Sequence, residues 1–308
     1  MVASRRHRPY LLAFRIYWIL LLLFGEVYVF YSNINNIEWP TKDHWNTNDH
    51  ETTLKFGIIA DPQLVDYNSY KHTGAHLFFE QLLTDNYISK HYYFLKKLKT
   101  PDNILFLGDL MDGGREWTDS TWNAEWNRFQ SIFKPDNESS SKKVKLHFVA
   151  GNHDIGVGDT IVNWALQRYR HNVGELNYAF EANGHAIIVL DTISYENSNS
   201  NINSESRRFL DYVSKEYSHM PKVLFTHIPM WRPKYAVCGP LRQSKNNFIA
   251  HGKGFQYKTV LEKDATFEIL NKLRPDIIFS GDDHDNCHHI HEIKNKKISE
   301  VIVFTLYI

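Results

Sequence analysis

Gly151-Asn152-His153-Asp154 holds three side chains that can share one piece of chemistry. The amide oxygen of Asn152 can hold a hard metal ion, His153 can pass a proton, and Asp154 can fix which ring nitrogen carries it. Alone, these four residues read equally well as a turn. Four more stretches change that balance: Asp61-Pro62-Gln63, Gly108-Asp109, His227-Ile228-Pro229 and Gly281-Asp282-Asp283-His284. Each offers carboxylate, amide or imidazole donors of the kind that bind divalent cations.

The elements that must position them are short apolar runs immediately upstream. These are Leu54 to Ala60, Asn103 to Leu107, Lys145 to Ala150, Lys222 to Thr226 and Asp276 to Ser280. Runs of this length and β-branched content read as buried strands, and helical stretches lie between several of them. Ligands in open α/β sheets bind at the carboxyl ends of strands. Five strands that each end in a donor residue are hard to explain as turns.

In these motifs the chain resembles the calcineurin-like metallophosphoesterases, whose pattern is Asp-x-His, Gly-Asp, Gly-Asn-His-Asp/Glu, His and Gly-His-x-His. The resemblance covers about residues 54 to 290 and implies a four-layer α/β/β/α sandwich with two divalent metal ions. Carried over, Asp61, Gln63 and His284 hold one ion, Asp109 bridges, and Asn152, His227 and Asp282 hold the second. Gln63 and Asp282 stand where the family pattern has His. Both exchange nitrogen for oxygen, and oxygen-rich sites suit Mn²⁺ or Mg²⁺ over Zn²⁺, so Mn²⁺ is the expected metal. Two such ions about 3.5–4 Å apart activate water for in-line attack and clamp the phosphoryl oxygens. Asp61, Asp109 and Asp282 set three negative charges against four positive ones. With an attacking hydroxide the site is near neutral, which suits a singly charged diester. His153 is then the general acid, held by Asp154.

The motifs extend further than this chemistry requires, as in Gly108 to Trp117, Gly151 to Thr160, Cys238 to Arg242 and Ser280 to Cys287. There the chain is similar to the eukaryotic family that removes ethanolamine phosphate from glycosylphosphatidylinositol (GPI) glycans, in particular its fungal cell-division-control branch. That resemblance implies an endoplasmic reticulum or Golgi membrane, and a GPI lipid or GPI-anchored protein as substrate, cleaved at a mannose, the first by expectation. Two rivals remain: the same site working on another lipid or nucleotide diester, and an inactive lumenal metal-binding protein that escorts GPI-linked cargo.

Composition agrees with one large α/β domain. The chain has 308 residues, with 35 basic and 35 acidic side chains, a balance that argues against a nucleic-acid partner. Residues 10–31 are almost all apolar, with a basic flank before and an acidic one after. As a helix they would span about 33 Å, enough for a hydrocarbon core of about 30 Å. No small-residue cleavage site follows, so an uncleaved single-pass anchor is expected rather than a signal peptide. The flanking charges place residues 1–9 in the cytosol. Residues 32–53 form a lumenal tether, and residues 54–308 the domain. Because related proteins continue past Ile308, the resemblance implies a chain shortened at its C-terminus, with residues 301–308 a strand.

Other chemistry-bearing residues have plainer readings. Trp122 and Trp126 read as helical core. Trp231-Arg232-Pro233-Lys234 reads either as a solvated loop or as a basic loop meeting phosphate. His288, His289 and His291 read as exposed strand positions, and His72 and His76 as surface residues. Cys238 and Cys287, the only cysteines, are either free thiols or one disulfide between two ligand loops. Asn137 is a glycosylation acceptor by its Asn-x-Ser triplet.

Overall fold

Five apolar runs of the chain do become strands, because β-branched and aromatic residues at successive positions can be buried on both sheet faces. The computed structural model describes residues 8–39, 53–134 and 143–305. In chain order the first elements are α1 (Arg8–Leu23), a π-helical turn at Phe24–Tyr28 and α2 (Val29–Asn35). Then follow β1 (Phe56–Ile59), α3 (Tyr67–Tyr70), α4 (Gly74–Phe94), β2 (Asn103–Phe106), α5 (Asp119–Ile132) and β3 (Lys145–Phe148). The middle holds α6 (Asn152–Ile155), α7 (Asn163–Asn172), β4 (Tyr178–Ala182), β5 (His185–Val189), α8 (Thr192–Tyr195) and α9 (Ser200–Glu216). The last part is β6 (Lys222–Phe225), a small hairpin of β7 (Lys253–Gly254) and β8 (Tyr257–Lys258), α10 (Lys263–Leu273), β9 (Ile277–Ser280), β10 (Cys287–Ile293) and β11 (Lys296–Ile302).

Strands β1, β2 and β3 form a parallel sheet, with Phe56 opposite Asn103 and Asn103 opposite Lys145. A second sheet has the order β10-β11-β9-β6-β5-β4, parallel through its middle and antiparallel at both edges. Side-chain alternation explains how the layers stack. Leu105 and Leu107 of the first sheet pack with Ile187, Val189 and Phe225 of the second, so the two sheets face one another. Their neighbours Ile104 and Phe106 point the other way, into a cluster with Trp122, Trp126 and Phe129 of α5. On the far side Ile188, Leu224 and Ile278 belong with Leu210, Val213, Ile269 and Leu270 of α9 and α10. The result is the expected α/β/β/α sandwich, with Trp122 and Trp126 as core.

One helix, Pro9–Asn35, is long and apolar enough to cross a membrane. It runs past the expected end at Tyr31, because Phe30 and Ile34 are buried against the domain. Residues 32–35, expected in the tether, continue this helix. Residues 1–7 of the tail, 40–52 of the tether, Asn137 and residues 306–308 of the last octet lie outside the described residues. Val301 and Ile302 complete β11, and Thr305 bridges to Ala60.

Candidate metal centre

Three of the five ligand loops leave their strands through a sharp bend. Asp61, Gln63, Asp109, Asp282 and His284 all have positive φ, between 30° and 65°. Non-glycine residues held there cluster at functional sites, where the surrounding structure offsets the strain. Glycines allow the loops to converge. A Cβ at position 151 would collide with Asp109 Oδ1, and one at 281 would lie 2.8 Å from Asp61 Oδ1.

Convergence brings Asp61, Asp109 and His227 together, all buried, with donor atoms within 4.8 Å of one another. His227 sits at the middle. Its Nδ1 donates to the Leu107 carbonyl at 2.6 Å, which assigns the proton to that nitrogen and turns Nε2 inward. Around Nε2 lie Asn152 Oδ1 at 2.8 Å, Asp109 Oδ1 at 3.4 Å and Asp282 Oδ1 at 3.6 Å. Asn152 is held in this orientation because its Nδ2 donates to the Gln256 carbonyl at 3.0 Å. Gln63 Nε2 donates to Asp109 Oδ2 at 3.2 Å. The main-chain N–H of Asp282 donates to both oxygens of Asp61.

Charge in this group is unbalanced, which shifts the pKa of each member. Burial pushes the Asp61 carboxyl well up, with the Asp109 and Asp282 charges adding to it. Burial pushes the His227 imidazole down, but Asp109, Asp282 and Asp61 outweigh it and hold it well above its ordinary range. Asp109 ends below the usual carboxylate range, because the charges and hydrogen bonds of His227 and His153 overcome its burial. Acceptors crowded around one imidazole draw either a proton or a cation into their midst. A divalent cation fits: three carboxylates, two amide oxygens and one imidazole present a mostly oxygen donor set.

Of the seven expected ligands, six are joined in this network. His284 is the exception. It is exposed and stands outside the buried triad, although Asp282 on the same loop is inside the network.

The expected pairing of Asp154 with His153 does not hold. Asp154 accepts the main-chain N–H groups of Leu110 at 3.0 Å and Gly151 at 2.8 Å, tying two ligand loops together. Its side chain turns into the domain because residues 152–155 form a helical turn, α6, in which successive side chains diverge by about a third of a turn. His153 is held instead by Asp112, whose carbonyl oxygen lies 2.6 Å and Oδ1 2.9 Å from Nδ1. Asp112 stands three residues after Asp109 in the same loop, which was the only hint of it in the sequence. Both groups near Nδ1 accept, so Nδ1 carries a proton and Nε2 is left for chemistry. Burial pushes His153 down, but Asp109 and the Asp112 hydrogen bond raise it to about 9. The Gln256 carbonyl was also missed: a main-chain group on the β7–β8 hairpin has no signature in side chains.

Two other expectations change. Arg232 is not a phosphate-facing loop residue; it is buried and paired with buried Glu300 at 2.6 Å. His291 is buried rather than exposed, because strand alternation turns it inward with Cys287 and Ile293, and it lies 2.7 Å from Glu300. Cys238 and Cys287 form a disulfide, so the loop after Arg232 is fixed to the start of β10. Asp285 reinforces the junction by accepting from Gln243 and Ser244.

The calcineurin-like phosphoesterase family matches residues 54–286. Cell division control protein 1 of Saccharomyces cerevisiae is 37% identical over 295 residues, covering 94% of this chain and 59% of that protein. Metallophosphoesterase 1 of Ailuropoda melanoleuca is 24% identical over 300 residues, covering 90% and 72%. The Metallophosphoesterase 1 homolog of Caenorhabditis elegans is 24% identical over 270 residues, covering 87% and 69%. This chain thus spans less than two thirds of the yeast relative. With five converging strand ends and the match across residues 54–286, the chain belongs to the calcineurin-like phosphoesterase family.

Proposed function

We propose that the chain is a dinuclear phosphodiesterase that removes side-branch ethanolamine phosphate from a mannose, the first by expectation, of GPI glycans. The observation that carries the reaction class is the buried group of Asp61, Asp109 and His227, with His153 at its edge held by Asp112. Asp61, Gln63, Asp109, Asn152, His227 and Asp282 would hold two divalent cations, which supply Lewis acidity toward phosphoryl oxygens and acidify the attacking water. His153 gives its Nε2 proton to the departing alkoxide, and Asp112 keeps the ring aimed. Retention of this acid favours an enzyme over an inactive escort.

Arg115 sits against the same loop, its N–H donating to the His153 carbonyl at 2.8 Å. Its buried Nε and Nη1 have no hydrogen-bond partner among the described residues. Unspent donors on a guanidinium beside the acid suit a phosphate oxygen. Replacing Arg115→Met removes one charge-assisted bond of about 1.5–3 kcal/mol. The expected result is a kcat/KM loss of about 10–100-fold for a phosphodiester, with the fold intact by circular dichroism; an unchanged kcat/KM would exclude the contact.

The GPI assignment is supported by the long motif similarities and by the N-terminal span. The disulfide supports an oxidising lumen, in the endoplasmic reticulum or Golgi. Comparing GPI glycans by mass spectrometry, in cells with and without the protein, tests it. Ethanolamine phosphate should accumulate on one mannose when the protein is missing; unchanged glycans together with hydrolysis of an aryl phosphodiester would point to another diester. Because His227 is the one imidazole in the cluster, metal-stripped protein should recover turnover with Mn²⁺ and little with Zn²⁺. Full recovery with zinc alone would reverse that preference.

A further inference from the structure

The membrane-spanning candidate is docked to the domain along α4, and the order of contacts gives the direction. Glu26 pairs with Lys90, Phe30 stacks edge-on against His91 at 4.8 Å, and Tyr31 meets Phe94 at 6.2 Å. The Asn35 carbonyl accepts from Lys99 at 3.0 Å. Phe30 also meets Tyr87 at 5.5 Å, and from Phe30 to Asn35 the partners advance from Tyr87 and His91 to Phe94 and Lys99, so α2 runs in the same direction as α4. The N-terminal half of α4 therefore points the same way as α1, toward the bilayer that α1 would occupy. From Lys90 back to Phe78 is about 18 Å of helix.

That half of α4 carries an apolar face in the open. Phe78, Phe79, Leu82 and Leu83 are 59%, 57%, 51% and 69% exposed, at a spacing that places them side by side. A helix on a water-facing surface shows polar residues there. Tyr67 and Tyr70 of α3 are exposed as well, and tyrosine favours the membrane–water boundary. The opposite face of α4 is firmly held: Arg128 bonds both oxygens of Asp85, and Gln81 donates to the Val65 carbonyl. Helix α3 is in turn bound to the catalytic loop. Asp66 accepts from the Gly113 N–H at 2.7 Å, and Ser69 hydrogen-bonds Asp112, the residue that aims His153.

We propose that the Phe78–Leu83 face of α4 inserts into the surface of the same bilayer that α1 crosses, giving the domain a second membrane contact beside its catalytic loop. The proposal rests on the reading of α1 as an anchor, and it deepens the proposed function. An active site joined through α3 to a membrane-inserted face takes diesters carried on lipid in its own membrane, without a long reach. A face built to pair with a second copy of the chain is the alternative occupant.

The test uses the full chain in phosphatidylcholine nanodiscs containing a diazirine-bearing phosphatidylcholine. Photolysis and peptide mapping should place lipid adducts on α1 and on residues 74–86, and Phe79→Glu with Leu83→Glu should remove the second set alone. The double variant should hydrolyse a soluble aryl phosphodiester at the wild-type rate, and a lipid-linked diester in vesicles at least 10-fold more slowly. Adducts on α1 without any on residues 74–86 would overturn the proposal, as would protein–protein crosslinks at those residues. Absence of adducts from both would overturn it together with the anchor. A wild-type chain that shows both sets of adducts but hydrolyses no phosphodiester would support the membrane contact and refute the proposed function instead.

Discussion

His153→Ala should lower kcat by about 10²–10⁴-fold, the usual worth of a positioned general acid, while bound metal stays at the wild-type level. The side chain lies outside the buried triad, so its loss removes proton transfer rather than cation binding. With its titration raised to about 9, the ring is protonated at neutral pH and loses that proton as pH rises through the folded value. Rates should therefore fall on the alkaline side. A cation on Asp109 cancels the largest upward push on His153, so the limb in loaded enzyme should lie below 9. Asp112→Asn should move the limb further down, because it removes a charge beside Nδ1. Asp154→Asn should leave the limb in place and lower the melting temperature, since that carboxylate bonds only main-chain N–H groups of neighbouring loops. Steady-state pH profiles with metal analysis, and thermal unfolding for Asp154→Asn, check all three. An unchanged kcat in His153→Ala removes the residue from the mechanism.

Arg232→Met should cost about 3–5 kcal/mol of stability, because it leaves a buried carboxylate without its cation. Glu300 is buried, and accepts from Met230 N–H and Ser280 on one oxygen and from Arg232 on the other, with His291 at 2.7 Å. Burial pushes Glu300 up, but Arg232 and His291 outweigh it and hold it down at about 2. A folded value below the unfolded one, about 4.3, means that this contribution is fully present above that pH and is lost as pH falls toward 2. Denaturant unfolding of wild type and variant at pH 7 and pH 3 checks the prediction. The gap should narrow at the lower pH, and a difference under about 1 kcal/mol at pH 7 would show that the pair is not a structural centre. Adding Glu300→Leu to Arg232→Met should restore part of the loss, since an apolar pair leaves no charge unmatched.

These two residues mark where reading along the chain succeeds and where it stops. Strand runs such as Asn103 to Phe106 were legible because burial on both faces demands an unbroken apolar stretch. Donor residues at the strand ends were legible because chemistry at a sheet edge needs polar groups in fixed places. Asp61, Gln63, Asp109, Asn152, His227 and Asp282 accordingly came from the sequence, and the structure joins them. Arg232 and His291 look like surface residues in any local window. Only their packing against Glu300, contributed by another strand, makes them core.

The primary structure by itself determined the buried strand runs, the order of ligand loops and the apolar N-terminal helix, since each follows from the types and periods of neighbouring residues; the four-layer stacking came from the family resemblance. Tertiary structure alone decided that Asp112 rather than Asp154 aims His153, that His284 stays exposed, and that α2 docks parallel to α4. Those outcomes depend on which way a side chain leaves its turn and on what lies across from it, and a contact between distant segments is set by packing rather than by spacing along the chain.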